Sequence, residues 1–166
     1  RDIFDIEINQ KILTATMSSC DEMFAAQYVG ARHVPEHLVY TSQTEWIKAL
    51  IDYVRVRKNL FLIIRVHPRE FPNKRESVKS EHVKILKNFF RNLPANVIIN
   101  WPTDGISIYD LALETDVFLN AWSSVGVEMS LLGIPVVIYS KELILYPPDL
   151  NYVAKDRKDY FAKIEL

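Results

Sequence analysis

The chain has very little cysteine, no excess of charge of either sign and no long apolar run. Its one cysteine, Cys20, excludes an internal disulfide and a cysteine-based metal cluster, which favours a reducing compartment. We expect this thiol to lie in the core or in a loop, and a nucleophilic role is the less favoured alternative. The formal net charge of −1 argues against general binding of nucleic acid, which needs a basic surface.

No stretch of apolar residues approaches membrane-spanning length, and no signal peptide opens the chain. We therefore expect a cytoplasmic protein, with peripheral contact at the inner face of the cytoplasmic membrane left open. The first residue is Arg1 rather than methionine, which suggests a piece of a longer protein. The sequence contains no internal repeat and no low-complexity segment.

The 166 residues are enough for one domain, residues 1–166, with a sizeable core. Strands are predicted at 11–17, 60–66, 96–100, 116–120 and 135–139, and helices at 42–58, 79–92, 106–114 and from 125. This alternation predicts an α/β fold, a Rossmann-like doubly wound parallel sheet flanked by helices. A polar turn is expected at 18–22, and in the tail from about 141 a final helix at 154–166 could pack back on the domain.

Three strand ends carry residues suited to a ligand, because ligands of such folds gather beyond the carboxyl ends of the strands. Ser18 and Ser19 follow the first strand and could bind phosphate, although a helix cap or a turn explains them equally well. His67 follows the second strand, and its neighbours Arg65, Pro68 and Arg69 add positive charge and a rigid exit. A structural histidine is the alternative there, with about equal weight.

The third strand end is a turn with two serines. Ser123 and Ser124 could hold a phosphate with the first amides of the helix that follows, or Ser124 could be an ordinary N-cap. Gly126 permits close approach of a ligand or of a neighbouring strand. Glu128 lies one helical turn beyond Ser124 and is suited to ribose hydroxyls, unless it is a solvated surface residue.

These residues resemble the motifs of a known group of enzymes. His67-Pro68 followed by Ser123-Ser124 resembles the HP and SS motifs of bacterial capsule-polysaccharide glycosyltransferases, which include polysialyltransferases and Kdo transferases. The stretch from Asp116 to Val137 also resembles the CDP-glycerol glycerophosphotransferases of teichoic acid synthesis. Those enzymes usually have Asp-Tyr before the two serines, where this chain has Ala-Trp, so the capsule pattern fits better.

The resemblance implies the carboxy-terminal, nucleotide-binding half of a GT-B glycosyltransferase. His67 would then be the catalytic contact to the donor phosphate, and Ser123 and Ser124 would bind phosphate. The donor would be a nucleotide sugar, best matched by a CMP-linked one. A polysaccharide or lipid-linked acceptor and the general base would belong to a missing amino-terminal half, so this chain alone would catalyse little.

No cofactor or metal is expected, since no carboxylate cluster suited to Mg²⁺ is visible in the sequence. Two other classes of function stay open. One is a sugar-nucleotide epimerase of the UDP-N-acetylglucosamine 2-epimerase type, which would need a second histidine in the cleft, and His33 and His82 are poor candidates. The other is a non-catalytic α/β binding module, in which Ser123 and Glu128 are ordinary helix-start residues.

Overall fold

A computed structural model of the protein describes residues 2–7, 9–33, 35–36, 38–72, 74 and 77–165, with Cys20 and Met23 described by their backbone only. The prediction for the Cys20 thiol therefore lies outside the described residues. The strands are β1 Lys11–Thr16, β2 Leu60–Arg65, β3 Val97–Asn100, β4 Val117–Asn120, β5 Val136–Ile138 and β6 Tyr152–Val153. The α-helices are α1 Cys20–Tyr28, α2 Gln43–Arg55, α3 His82–Phe89, α4 Ile108–Ala112, α5 Val125–Leu131 and α6 Arg157–Ile164.

All six strands form one parallel sheet in the order β3-β2-β1-β4-β5-β6. Helices α2, α3 and α6 contribute to the larger core on one face of the sheet, and α4 and α5 cover the other face. The predicted Rossmann-like, doubly wound α/β fold is thus confirmed. β1 and β4 are neighbours from which the chain runs outward in opposite directions, so the strand order reverses between them.

The buried strands and amphipathic helices follow from the sequence pattern. β2 is buried along five of its six residues, as its continuous apolar run predicts. α2 buries Trp46, Leu50 and Val54 at helical spacing, and Ser42 is its N-cap, because the serine side chain accepts a hydrogen bond from the amide of Glu45. α6 packs back on the domain through Tyr160 and Ile164, as expected, although the predicted last residue, Leu166, lies outside the described residues.

Two elements differ from the prediction. The expected polar turn at residues 18–22 is wrong, because α1 begins at Cys20 and continues to Tyr28. Most of the described side chains of α1 are exposed, among them Phe24 and Tyr28, so the helix has no apolar stripe that would mark it in the sequence. The short strand β6 was also not predicted, since two residues that pair with β5 leave no periodic signal.

Candidate functional site

Four polar residues form the last row of strands β1 to β4 at the carboxyl edge of the sheet. Thr16 of β1 is in register with Arg65 of β2 on one side and with Asn120 of β4 on the other, and Arg65 is in register with Asn100 of β3. Side-chain hydrogen bonds join neighbours along this row, from Arg65 to Asn100 and from Thr16 to Asn120 at 3.3 Å. The row crosses the β1–β4 boundary, where ligands of open parallel sheets bind.

A cavity of about 200 Å³ opens at this edge. Its wall includes four of the residues singled out in the sequence, namely Arg65, His67, Pro68 and Ser123. Thr16 lies in the same wall. Complete pockets for drug-sized ligands measure about 300–1,000 Å³, so this cavity has room for one part of a nucleotide rather than for the whole of it. The structure therefore brings two separate predicted motifs, 56 positions apart by residue number, into one wall.

His67 is held in a defined tautomer by the turn that follows it. Its Nδ1 accepts a hydrogen bond from the amide of Arg69 at 3.2 Å, and Pro68 begins a short 3₁₀-helix, Pro68–Glu70. Burial lowers the pKa of His67, an effect that the carboxylates of Glu22, Glu70 and Asp21 partly oppose and that the charge of Arg69 reinforces. The imidazole is therefore neutral at pH 7, with its hydrogen on Nε2 as a donor for a ligand.

The two arginines of the motif have different surroundings. The Nη1 atom of Arg65 donates to the side chain of Asn100 and to the carbonyl oxygen of Ile106. Burial lowers the pKa of Arg65, and the charge of Asp104 opposes this effect. An arginine stays charged at neutral pH even so, so Arg65 brings a positive charge to the cavity wall.

Arg69 does not line this cavity. Its guanidinium group contacts two carboxylates of α1, with 3.4 Å between Nε and Asp21 and 3.0 Å between Nη1 and Glu22. The structure therefore places Arg69 as a tie between α1 and the turn after β2. A direct contact between Arg69 and phosphate stays a prediction, and it would require the side chain to exchange these carboxylates for the ligand.

The first serine pair is buried beside the cavity rather than in its wall. The backbone amide of Ser18 donates to the Gln43 side chain at 2.6 Å, and the Ser18 carbonyl accepts from the same side chain at 3.0 Å. The Ser19 hydroxyl donates to Asp21 at the start of α1. The bonds of Ser18 are made by its backbone, whereas its buried hydroxyl has no hydrogen-bond partner among the described residues. Phosphate binding by Ser18 and Ser19 stays a prediction.

In the second serine pair the two hydroxyls differ. Ser124 is exposed and occupies the N-cap position of α5, but its side chain makes no capping hydrogen bond. The hydroxyl of Ser123 instead accepts from the amide of Val125 at 3.3 Å, so Ser123 rather than Ser124 supplies the side-chain oxygen at the start of α5. Ser123 lines the cavity, and Ser124 follows it on the exposed side of the turn.

Gly126 and Glu128 lie beyond the cavity wall. A Cβ atom at Gly126 would come within 2.1 Å of the Tyr146 hydroxyl and 2.4 Å of the Asn120 amide nitrogen, so side chains of the protein make the close approach there. Glu128 accepts a hydrogen bond from Tyr109 of α4 at 2.5 Å, which raises the pKa of the tyrosine. A ribose contact of Glu128 stays a prediction, and it would form beside this pair.

Several residues of the site were missed in the sequence. Asn120 and Thr16 end their strands in the polar row, and Ile108 of α4 and Val125 supply apolar parts of the cavity wall. The sequence did carry a signal for Asn120 and Thr16, because each is the polar residue that ends a mainly apolar strand at this edge of the sheet. Tyr146 had no signal, since only the fold brings it to Asn120.

Comparison with known proteins finds likeness at the level of structure alone. No protein-family profile matches the sequence, and no curated protein matches it. Among solved structures, the β-Kdo 2,4 transferase of KpsC from Thermosulfurimonas dismutans superposes with a TM-score of 0.55 at 14% identity, over 94% of this chain and 41% of that one. The match shows a shared fold.

Two further structures are similar with lower scores. The β-Kdo 2,7 transferase of the same KpsC gives a TM-score of 0.48 at 16% identity, over 95% of this chain and 45% of the other. The wall teichoic acid polymerase TagF, as an H444N variant, gives 0.41 at 14% identity, over 83% and 27%. This chain thus spans less than half the length of each of these proteins. Among the described residues no helix is long and apolar enough to cross a bilayer.

Proposed function

We propose that this chain is the nucleotide-sugar-binding half of a glycosyltransferase that builds a surface or capsular polysaccharide. The observation that carries the proposal is the cavity at the β1–β4 boundary, where His67 and Ser123 share one wall. The likeness in fold to a KpsC Kdo transferase supports the same proposal, as does the resemblance of His67-Pro68 and Ser123-Ser124 to the HP and SS motifs. That resemblance also favours a CMP-linked donor.

The chemistry of the proposed step is the stabilisation of charge on a departing nucleotide. When the bond between sugar and phosphate breaks, the phosphate gains negative charge. The Nε2–H of His67 and the hydroxyls of Ser123 and Ser124 would donate hydrogen bonds to its oxygens, and Arg65 would supply a fixed positive charge. Donors that are already oriented stabilise that charge without reorganising during the reaction.

The general base for the acceptor, and the acceptor itself, would belong to the part of a longer protein that this chain does not contain. We accordingly expect nucleotide binding by the chain alone and transfer only by the full-length protein, with no cofactor or metal ion required. Peripheral association with a membrane would also involve that other part. Three other functions are alternatives to the proposal, namely a CDP-glycerol-dependent transferase, an epimerase and a binding module without catalysis. The test below compares nucleotides in order to distinguish them from it.

The test is a titration of the chain with CMP, CDP, UMP, UDP and cytidine, followed by backbone and histidine NMR signals with EDTA present throughout. We expect CMP to shift the signals of His67 and Ser123, and cytidine, which lacks the phosphate, to bind at least about tenfold more weakly. His67→Ala and Ser123→Ala should each weaken CMP binding by about tenfold.

His33→Ala is the matched control, because His33 lies outside the cavity wall, in the segment between α1 and α2. It should bind CMP as the wild type does. Circular dichroism of each variant establishes that the fold is retained. If no nucleotide shifts the signals of His67, Ser123 or Ser124, or if His67→Ala and Ser123→Ala bind CMP normally, the proposal is wrong. In the full-length protein, His67→Ala and Ser124→Ala should lose transfer while keeping the fold.

A further inference from the structure

Asn120 makes every hydrogen bond that an asparagine side chain can make. Its Oδ1 accepts from the hydroxyl of Thr16 and from the amide of Ser123, each at 3.3 Å. Its Nδ2 donates to the carbonyl of Ser123 at 2.8 Å and to the hydroxyl of Tyr146 at 3.2 Å. The side chain is fully buried at the end of β4. With two donors and two acceptor positions all in use, its orientation is fixed by its neighbours.

The contact with Tyr146 continues into a chain of hydrogen bonds that returns to the start of α5. The Tyr146 hydroxyl donates to the Oδ1 of Asn151 at 2.8 Å, and the Nδ2 of Asn151 donates to the Ser130 hydroxyl at 2.8 Å. Ser130 in turn donates to the carbonyl of Gly126 at 3.0 Å. The loop after β5 is thereby tied to the last turn of α5 through Ser130, whose hydroxyl also contacts the carbonyl of Gly126 near the start of the helix.

Gly126 fits this arrangement by having no side chain. A Cβ atom there would lie within 2.1 Å of the Tyr146 hydroxyl and 2.4 Å of the Asn120 amide nitrogen, far inside normal contact distance. Asn120, Gly126 and Tyr146 therefore fit together as a set, and the set lies directly behind the serine turn.

We propose that Asn120 is a positioning residue for the phosphate site and that Tyr146 holds it in place; this inference rests on the proposed function. Asn120 binds both the amide and the carbonyl of Ser123, which fixes the backbone of the turn from behind. It also holds Thr16, which lies in the same cavity wall as Ser123. If the turn is already ordered before the ligand arrives, binding does not include the entropic cost of ordering it, so the ligand binds more tightly.

Asn120→Leu tests this inference, because leucine is similar in size, carries no charge that could repel a phosphate, and makes no hydrogen bonds. The matched control is Asn96→Leu. Asn96 also uses its amide to hold a loop, because it donates to the carbonyls of Val54, Arg57 and Leu60. It immediately precedes β3 and so lies at the amino-terminal ends of the strands, away from the candidate site. Tyr146→Phe, with Tyr53→Phe as its control, removes only the hydroxyl and serves if Asn120→Leu does not fold.

Two readouts are needed, namely CMP affinity and the hydrogen-exchange rate of the Ser123 amide in the absence of ligand. For Asn120→Leu we expect about tenfold weaker CMP binding and about tenfold faster exchange at Ser123, and about threefold changes in both for Tyr146→Phe. Asn96→Leu should also lower the free energy of unfolding but leave both readouts at the wild-type value, which would show that the changes in Asn120→Leu do not come from a general loss of stability. Tyr53→Phe should leave both unchanged.

Unchanged readouts in Asn120→Leu and Tyr146→Phe, or equal changes in the variants and their controls, would overturn the inference. Its failure can be told apart from failure of the proposed function. If the wild-type chain binds none of the nucleotides, the proposed function is wrong, and the exchange rate of Ser123 still decides whether Asn120 orders the turn. If CMP binds normally to both variants, the phosphate site stands and the positioning role does not.

Discussion

At the scale of single residues, a hydrogen bond that holds the turn after β2 depends on the protonation state of the His67 imidazole. Its Nδ1 accepts the amide of Arg69, and a hydrogen bound at that nitrogen would remove the acceptor. Burial lowers the pKa of His67, whereas in the unfolded chain a histidine titrates near pH 6.5. As the pH falls, the unfolded state therefore binds this proton first.

The prediction concerns stability against acid. Because the folded-state pKa of His67 is the lower one, its contribution is complete above about pH 6.5 and is lost as the pH falls from there to the lowered value. We expect the free energy of unfolding, measured with urea at a series of pH values, to fall across this interval. His67→Asn should remove up to about 1.4 kcal/mol per pH unit of that slope.

His33→Asn is the control for the same substitution at a histidine outside this turn. An identical slope in wild type and His67→Asn would mean that the imidazole is not held neutral by the fold. The tautomer assigned to His67, and with it the Nε2–H donor of the proposed phosphate site, would then need to be revised.

At the scale of the elements, α2 and α6 are joined through a hydrogen bond inside the core. The indole nitrogen of Trp46 donates to the hydroxyl of Tyr160 at 2.7 Å, and both side chains are fully buried. The Tyr160 ring also packs edge-on against Tyr40 and Tyr139. Burial raises the pKa of Tyr160 well above its usual range, and the hydrogen bond from Trp46 opposes this effect, so the phenol is neutral at physiological pH.

Tyr160→Phe should destabilise the protein because it leaves the buried indole N–H of Trp46 without its acceptor. We expect the free energy of unfolding to fall by about 1–3 kcal/mol, measured by urea unfolding. Tyr53→Phe removes a hydroxyl that contacts Glu165 at the exposed end of α6 and should cost less than about 0.5 kcal/mol. Equal effects of the two substitutions would contradict the prediction. CMP binding should be the same in both variants, since neither residue lines the cavity.

The elements also show how far a sequence pattern can determine a structure. The β1, β2, β4 and β5 strands and the α2 helix carry strong apolar periodicity, and the structure has them within a few residues of their predicted bounds. Helix α1 has no apolar stripe, because its described side chains are mostly exposed. Its only sequence signals were the polar residues at its start, which favour a turn as much as a helix start.

The candidate site likewise contains some residues that could be predicted from the sequence and others that could not. His67 and Ser123 could be found because each follows directly after a strand, and parallel strands end at one edge of the sheet. The direction of a side chain could not be found in this way. Arg69 follows His67 by two positions but contacts α1, and Tyr146 reaches Asn120 across 26 positions by way of the fold. Such contacts depend on packing between elements rather than on local pattern.

At the scale of the whole molecule, the last 25 described residues are built into the sheet and its core instead of forming a separate tail. β6 extends the sheet by pairing with β5, and the backbone amide of Ala154 donates to the carbonyl of Ile138 at 2.9 Å. α6 covers Tyr139 and Trp46 of the larger core. On the other side of the sheet, the chain of hydrogen bonds from Tyr146 through Asn151 reaches α5. Each face therefore depends on this segment.

We accordingly expect the chain to unfold as one cooperative unit, which also tests the assignment of residues 1–166 to a single domain. In urea, the helical circular-dichroism signal, tryptophan fluorescence and the amide NMR signals of β6 and α6 should share one midpoint and one slope. Tryptophan fluorescence is informative because the Trp46 side chain of α2 contacts Tyr160 of α6, whereas Trp101 and Trp122 follow β3 and β4. A lower midpoint for β6 and α6 than for the β1–β4 signals would contradict the prediction, since the carboxy-terminal segment would then come away from a core that is stable without it.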